Sequence, residues 1–272
     1  MTVTPVRPTQ LQPEIRWEPL PADFQLPDDP VENIGQPLLA GALRESLELA
    51  NWIRPEMLVV SNFGLCATLN DRIIAKAPDW LYVASVQPWE GEGERRSYTP
   101  HAEGDVPTLV MEFLSDTDGG EYSLKRTFPP GKWYFYEQII QVPYYAIFEP
   151  SSGLLEFYHL QDGHYVLEMP DENGRHWIEQ MRLFLGTWRG EKEERTGYWL
   201  RWWNPQGEIL AWAVERIAEA EAEAEQERER AEQERERAEQ ERERAERERQ
   251  EKERLLAYLR DRGLDPDLLD DG

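Results

Sequence analysis

The stretch that most constrains this chain is PTLVMEFLSDTDGGEYSLK, residues 107–125. Thr108 to Leu114 has the length and apolar content of a buried strand, the Ser/Asp/Gly cluster after it reads as a turn, and Glu121 and Lys125 fall on the first turns of a following helix. One acid, Glu112, interrupts the apolar run. Burying a carboxylate without a partner is expensive, so any fold of this sequence has to account for that side chain. Two accounts are open. In one, Glu112 faces solvent on an edge strand or pairs with Lys125 as a structural ion pair. In the other it is an oxygen ligand of a divalent-metal site, which draws ligands from separate strands and keeps a lysine nearby to steady developing negative charge.

A second acid on a neighbouring strand favours the metal account, and Pro78-Asp79 supplies one. Asp79 stands at the mouth of a strand read as Trp80 to Val86, just after the run RIIAKA. An acid at a strand entrance is often a turn residue or a cap. This one precedes Glu112 by one strand and one loop, so the two can lie side by side.

The series Pro78-Asp79, VMEFLS (residues 110–115), EYSLK (residues 121–125) and VPYYAIFEP (residues 142–150) resembles the PD-(D/E)XK nuclease superfamily, and within it the Uma family of restriction-endonuclease-like domains. The resemblance spans roughly residues 30–170. It implies an α/β fold: a restriction-endonuclease-like core, with a mixed central sheet flanked by helices. It also implies that Asp79, Glu112 and the backbone carbonyl of Phe113 hold Mg²⁺ or Mn²⁺. Leu114 stands where the superfamily has its lysine, and Lys125 on the following helix is the substitute, orienting the attacking water or stabilising the phosphorane. Glu121 matches an acid one helical turn before that lysine, a spacing that sets both side chains on one helix face. Where members often carry His at the start of the first helix, this chain has Gln36-Pro37. The implied activity is metal-dependent hydrolysis of DNA phosphodiester bonds. The alternative is a catalytically silent nuclease-like scaffold that works through its tail, since fold alone does not fix function.

The formal net charge of -24 opposes a general nucleic-acid binder, because phosphate affinity comes from Lys and Arg on a basic face. Screening over about 8 Å at physiological salt softens the objection for charge on a distant tail. The single cysteine, Cys66, lies in the apolar run GLCATL, reads as a buried structural thiol, and fits a reducing, cytoplasmic setting. No run of about 18 apolar residues suggests a membrane span, and no apolar core after a basic start suggests a signal peptide. His101, His159, His164 and His176 are not spaced as metal pairs.

Four segments follow: an extended N-terminal segment over residues 1–35, the nuclease-like domain over 36–206, a long charged helix over 207–263, and a C-terminal tail over 264–272. Within the domain, Leu38, Leu39, Ala42, Leu43, Leu47 and Ala50 predict an amphipathic helix from Gln36 to Trp52. That helix carries Glu45, which is a solvated acid or a further member of the metal shell. Asn70-Asp71 predicts a hairpin between GLCATL and RIIAKA, and these strands are expected in one sheet with WLYVASV and TLVMEFL. Pro129-Pro130-Gly131 splits residues 119–141 into two helical pieces. The aromatic residues there are core or stack on bases, LLEFYHL and HYVLEMP form a hairpin about QDG, and the tryptophans of residues 176–210 are buried.

From about Glu208 the pattern is helical, and EQERERA repeats three times between Glu225 and Ala245. Ile217, Ala224, Ala231, Ala238 and Ala245 recur every seven residues, while Glu227, Glu234 and Glu241 occupy the second seam position. One alanine methyl per heptad contributes roughly 0.8 kcal/mol. Pairs such as Glu225 with Arg228 and Arg228 with Glu232 add roughly 0.2 to 0.5 kcal/mol each within one helix. A solitary charged helix or a weak coiled coil is therefore expected, spanning about 75 Å at 1.5 Å per residue. Leu255, Leu256, Tyr258 and Leu259, with Gly263 as cap, read as a docking tip for a second copy, giving a homodimer, or for another protein.

Overall fold

The computed structural model describes residues 14–18, 35–114 and 120–262. The Ser/Asp/Gly turn at 115–119, most of the N-terminal segment, the cap at Gly263 and the C-terminal tail lie outside the described residues. The chain divides into two compact units, Met1–Ala213 and Val214–Gly272.

The first unit begins with β1 (Ile15–Arg16) and α1 (Gly35–Leu49), which buries Leu39, Ala40, Ala42, Leu43 and Leu47 along one face. The helix stops where Asn51 turns left-handed (φ 53°) and Trp52 N–H returns to the Leu47 carbonyl. Asn tolerates that conformation better than most residues, and the returning bond satisfies a carbonyl that the helix end would leave open. Six strands follow before the next helix, β2 (Leu58–Val60), β3 (Gly64–Leu69), β4 (Arg72–Lys76), β5 (Trp80–Val83), β6 (Ser97–Tyr98) and β7 (Leu109–Phe113), and β8 (Tyr144–Glu149) comes after the helical crossover. The crossover carries a 3-10 turn (Gly120–Tyr122) and α2 (Lys132–Tyr134), which continues as a π-helix over Phe135–Ile140. The unit closes with β9 (Leu154–Gln161), β10 (His164–Leu167), β11 (Arg175–Ile178), β12 (Leu183–Lys192) and β13 (Arg195–Trp203).

The central sheet has six strands in the order β10-β9-β8-β7-β5-β2. Only β7 and β8 run parallel; the other neighbours are antiparallel. A parallel pair needs a long crossover, and the chain between Phe113 and Tyr144 is that crossover. Side chains alternate across the sheet. Trp80, Tyr82, Leu109, Met111, Phe113, Tyr144, Ala146 and Phe148 join α1 and the β11–β13 meander in one core. Leu81, Val83, Val110, Tyr145 and Ile147 face Phe135, Tyr136, Ile139 and Ile140 of the crossover in another. Glu112 shares its parity with Val110 and so belongs to the crossover side.

The β3–β4 hairpin forms as expected: Asn70 and Asp71 both have positive φ, 49° and 59°, which suits a two-residue turn. It does not join the central sheet. It pairs with β1 and β6 in a separate sheet, and Leu65, Ala67 and Ile74 cover the crossover side of the central one. Every residue of β3 is buried, so the strand serves as a covering layer. Of the tryptophans of the last meander, Trp199, Trp202 and Trp203 are buried as expected, while Trp177 and Trp188 are partly buried. Trp202 and Trp212 donate their indole N–H groups to the Leu43 and Ala42 carbonyls of α1 at 3.1 and 3.0 Å. The Arg201 guanidinium, also buried, lies 3.4 Å from the Trp212 ring centroid and donates to the Leu210 carbonyl. Burial pushes the Cys66 thiol up to about 12, which keeps it protonated and in its expected structural role.

In the second unit α3 (Ala213–Asp261) starts five residues later than the sequence pattern suggests and has no buried residue. Ion pairs along it join Glu243 with Arg247, Arg244 with Glu248, and Arg249 with Glu253, all one turn apart. No helix among the described residues is long and apolar enough to cross a membrane. If these pairs carry the helix, circular dichroism of the full chain at 222 nm will not change with protein concentration and will weaken at about 1 M salt, where the Debye length falls to about 3 Å. Ellipticity that rises with concentration would show an assembled coil instead.

Candidate functional site

The antiparallel register of β5 with β7 sets the site. Trp80 is opposite Met111 and Leu81 opposite Val110, so continuing that register by one residue puts Asp79 opposite Glu112, on the same face. Asp79 lies just before β5, where its Oδ2 accepts the Phe113 N–H at 2.6 Å. Glu112 is fully buried. Like charges directly opposite in a sheet repel, and burial worsens that repulsion, so the pair calls for a cation.

Lys132 supplies one. Its Nζ lies 3.1 Å from Glu112 Oε2 and 3.3 Å from Glu121 Oε1. Tyr136, one turn further along the crossover helix, donates its hydroxyl to Glu112 Oε1 at 2.8 Å. The Lys132–Tyr136 spacing directs both side chains to one face. Because this helix belongs to the β7–β8 crossover, that face lies against the side of the sheet to which Glu112 points. Glu121, 5% exposed, is anchored by Tyr145, whose hydroxyl donates to the Glu121 main-chain carbonyl at 3.1 Å.

Sequence reasoning placed Asp79, Glu112 and Glu121 in the site and named Lys125 as its cation. The structure brings the three acids together around Lys132, and Lys125 lies elsewhere. The expected helix carrying Glu121 and Lys125 is only the single 3-10 turn Gly120–Tyr122, followed by irregular chain over residues 123–131 in which Lys125 is exposed. Pro129 and Pro130 lack N–H donors and restrict the residues before them, so a helix cannot run through. It restarts at Lys132, directly after Pro-Pro-Gly. That restart was the available signal for Lys132 and Tyr136, both of which sequence reasoning missed. Gln36 was noted only as standing in the place of a histidine; its Nε2 donates to the Phe113 carbonyl at 3.0 Å. Glu45 belongs elsewhere, pairing with Lys192 at 2.8 Å and accepting the Ala213 N–H.

The cluster holds three carboxylates against one ammonium. Burial pushes Glu112 up to about 8; the Asp79 charge adds to this, while Lys132 and the Tyr136 hydroxyl oppose it. Burial also raises Asp79, against the pull of the Phe113 N–H and Lys132. Desolvation disfavours the Lys132 ammonium, but Glu112 and Glu121 outweigh it and hold the proton on. Glu121 Oε2 is buried and has no hydrogen-bond partner among the described residues. An orphaned buried oxygen and an excess of acid fit an additional cation. Asp79, Glu112 and the Phe113 carbonyl are the oxygen donors that could hold it, a hard-donor set suited to Mg²⁺ or Mn²⁺. Among the described residues no three acid, His or Cys side chains converge closely enough to hold an ion unaided, which leaves a main-chain carbonyl or water as the third ligand.

The raised Glu112 value has a consequence for the metal-free protein. The folded state holds this proton more tightly than the unfolded chain, whose ordinary value is 4.5. The stabilising contribution is complete below about pH 4.5 and is lost as pH rises through about 8. Thermal melts in chelator should show Tm falling by several degrees between about pH 5 and 8, and Glu112→Gln should flatten that fall. An equally steep fall in the variant would assign it to other groups.

No curated protein matches the chain. The family model described as "Uma2: Putative restriction endonuclease" matches residues 42–189, more than half of the chain. The match includes Asp79, Glu112, Glu121, Lys132 and Tyr136, and ends before β13 and the charged helix. With its mixed sheet and its acids paired across adjacent strands, the chain belongs to the Uma2 restriction endonuclease family.

Proposed function

We propose that the protein is a divalent-metal-dependent endonuclease that hydrolyses phosphodiester bonds of DNA. The observation that carries this reading is the cross-strand pair of Asp79 and buried Glu112, with Lys132 reaching Glu112 from the crossover helix. Asp79, Glu112 and the Phe113 carbonyl would hold Mg²⁺ or Mn²⁺. Bound there, the ion supplies positive charge that acidifies a water ligand and offsets charge at the phosphate.

The side chains have separate tasks. Tyr136 fixes one Glu112 oxygen, so the carboxylate keeps a single orientation in the pocket. Asp79 is steadied by the Phe113 N–H in the same way. Lys132 has three N–H donors; two are directed at Glu112 and Glu121, and the third is left for a phosphate oxygen, where charge grows as the bond to the leaving strand breaks. Lys132 thus takes the role that sequence reasoning gave Lys125. Glu121 Oε2, buried and without a partner among the described residues, is the acceptor for the proton that water gives up as its oxygen joins phosphorus.

In the alternative, the nuclease-like fold is a silent scaffold and the charged helix, with exposed Leu255 and Tyr258 near its end, is the working part, through a second copy or another protein. One experiment separates the two readings. Purified protein with Mn²⁺ or Mg²⁺ should nick supercoiled plasmid, and Asp79→Ala, Glu112→Gln and Lys132→Ala should each slow nicking by on the order of 100-fold or more. Mg²⁺ should also raise the Tm of the wild type at pH 8 and leave that of Asp79→Ala unchanged. Equal nicking by wild type and Asp79→Ala would reveal a contaminant and remove the hydrolase reading.

A further inference from the structure

Glu121 and Lys132 are the two ends of one short segment, residues 123–131, which contributes no side chain to the acid cluster yet is pinned at both ends. The Gly131 N–H donates to the Lys125 carbonyl at 2.9 Å, the Tyr134 N–H to the Ser123 carbonyl at 3.4 Å, and the Ser123 N–H to the Gly120 carbonyl at 3.1 Å. Gly131 sits so close to its neighbour that a Cβ there would come within 2.1 Å of the Ser123 carbonyl oxygen. Phe128 is held from outside by Arg72 of β4, whose guanidinium lies 3.3 Å from the ring centroid, and Arg126 lies over Tyr134 at 5.8 Å. These contacts hold Lys125 and Arg126 on a segment whose two ends, Glu121 and Lys132, belong to the acid cluster.

All three cations, Lys125, Arg126 and Arg72, are exposed. None makes an ion pair with another described residue, although the chain carries a net charge of -24 and acids are plentiful. Several arginines of the charged helix are paired one turn away. An unpaired cation keeps its attraction for an external anion, and a loop already fixed in shape loses little entropy on binding one. Resting on the endonuclease reading above, we propose that Lys125, Arg126 and Arg72 bind the DNA phosphates flanking the bond to be cut. The loop from Glu121 to Lys132 thus tracks the nucleic-acid backbone while its ends belong to the acid cluster. Contacts of this kind carry position rather than sequence.

The test compares the wild type with Lys125→Gln/Arg126→Gln, and separately with Arg72→Gln and Arg72→Lys, all checked for folding by circular dichroism. Binding of a fluorescein-labelled 20-base-pair duplex is followed by anisotropy in Mg²⁺ over a range of salt, and nicking kinetics are measured in Mn²⁺. Each phosphate contact contributes about 0.9 to the slope of log affinity against log salt. The double variant should lose about 1.8 from that slope, bind on the order of tenfold or more weakly, and show a raised KM. Arg72→Lys should keep the slope that Arg72→Gln loses. Wild type and double variant binding duplex with the same affinity and slope would overturn the loop assignment and leave the endonuclease reading standing. A wild type that binds duplex through the loop but never nicks would keep the assignment and remove the hydrolase reading. A wild type that neither binds nor nicks would remove both.

Discussion

The ammonium of Lys132 between Glu112 and Glu121 is the contact on which the arrangement depends. Three acids gather about one base, Glu112 and Glu121 buried and Asp79 and Lys132 partly so, and a buried charge is tolerated only where opposite charge and hydrogen bonds meet it. Each group that meets the requirement comes from a different part of the chain: Asp79 from the start of β5, Glu112 from the middle of β7, Glu121 and Lys132 from either end of the crossover loop. Ionic contacts of this kind contribute little net stability. The two aromatic-rich cores on either side of the central sheet supply most of the burial, and the acids are carried between them.

Charge also frames the problem of substrate. The excess of acid is not confined to the helical tail; the first 213 residues also carry more Asp and Glu than Lys and Arg. Distance and screening therefore do not by themselves reconcile the chain with a polyanion. The proposed DNA contacts therefore rest on a local set of exposed cations, Lys125 and Arg126 of the segment between Glu121 and Lys132 together with Arg72.

Much of the fold was legible in the sequence. The apolar run about Glu112, the Asn70-Asp71 turn, the periodicity of α1, the hairpin about Gln161, Asp162 and Gly163, and the heptad-patterned helix all depend on residues close together in the chain. Assigning β3 and β4 to the central sheet went astray because every residue of β3 is apolar or small. Alternation, the signal that would have shown which layer the strand covers, is absent. The meander β11–β13 was legible as a place of burial and not as three strands, since its tryptophans serve packing in either form. At the site, acid identity was legible and the cation was not: Lys125 has the sequence spacing of a partner for Glu121, and the prolines that follow remove the helix on which that spacing depends.

The sequence by itself determined that an acid would be buried in a strand, that a second acid would precede the neighbouring strand, and that about the last fifth of the chain would be a charged helix. Those are consequences of local pattern and of the cost of burying charge. Which lysine answers the acids was decided only by tertiary structure. The parallel pairing of β7 with β8 forces the chain across one face of the sheet. That path sets the first turn of the crossover helix, and with it Lys132 and Tyr136, against Glu112, a juxtaposition twenty residues away in sequence that no periodicity records.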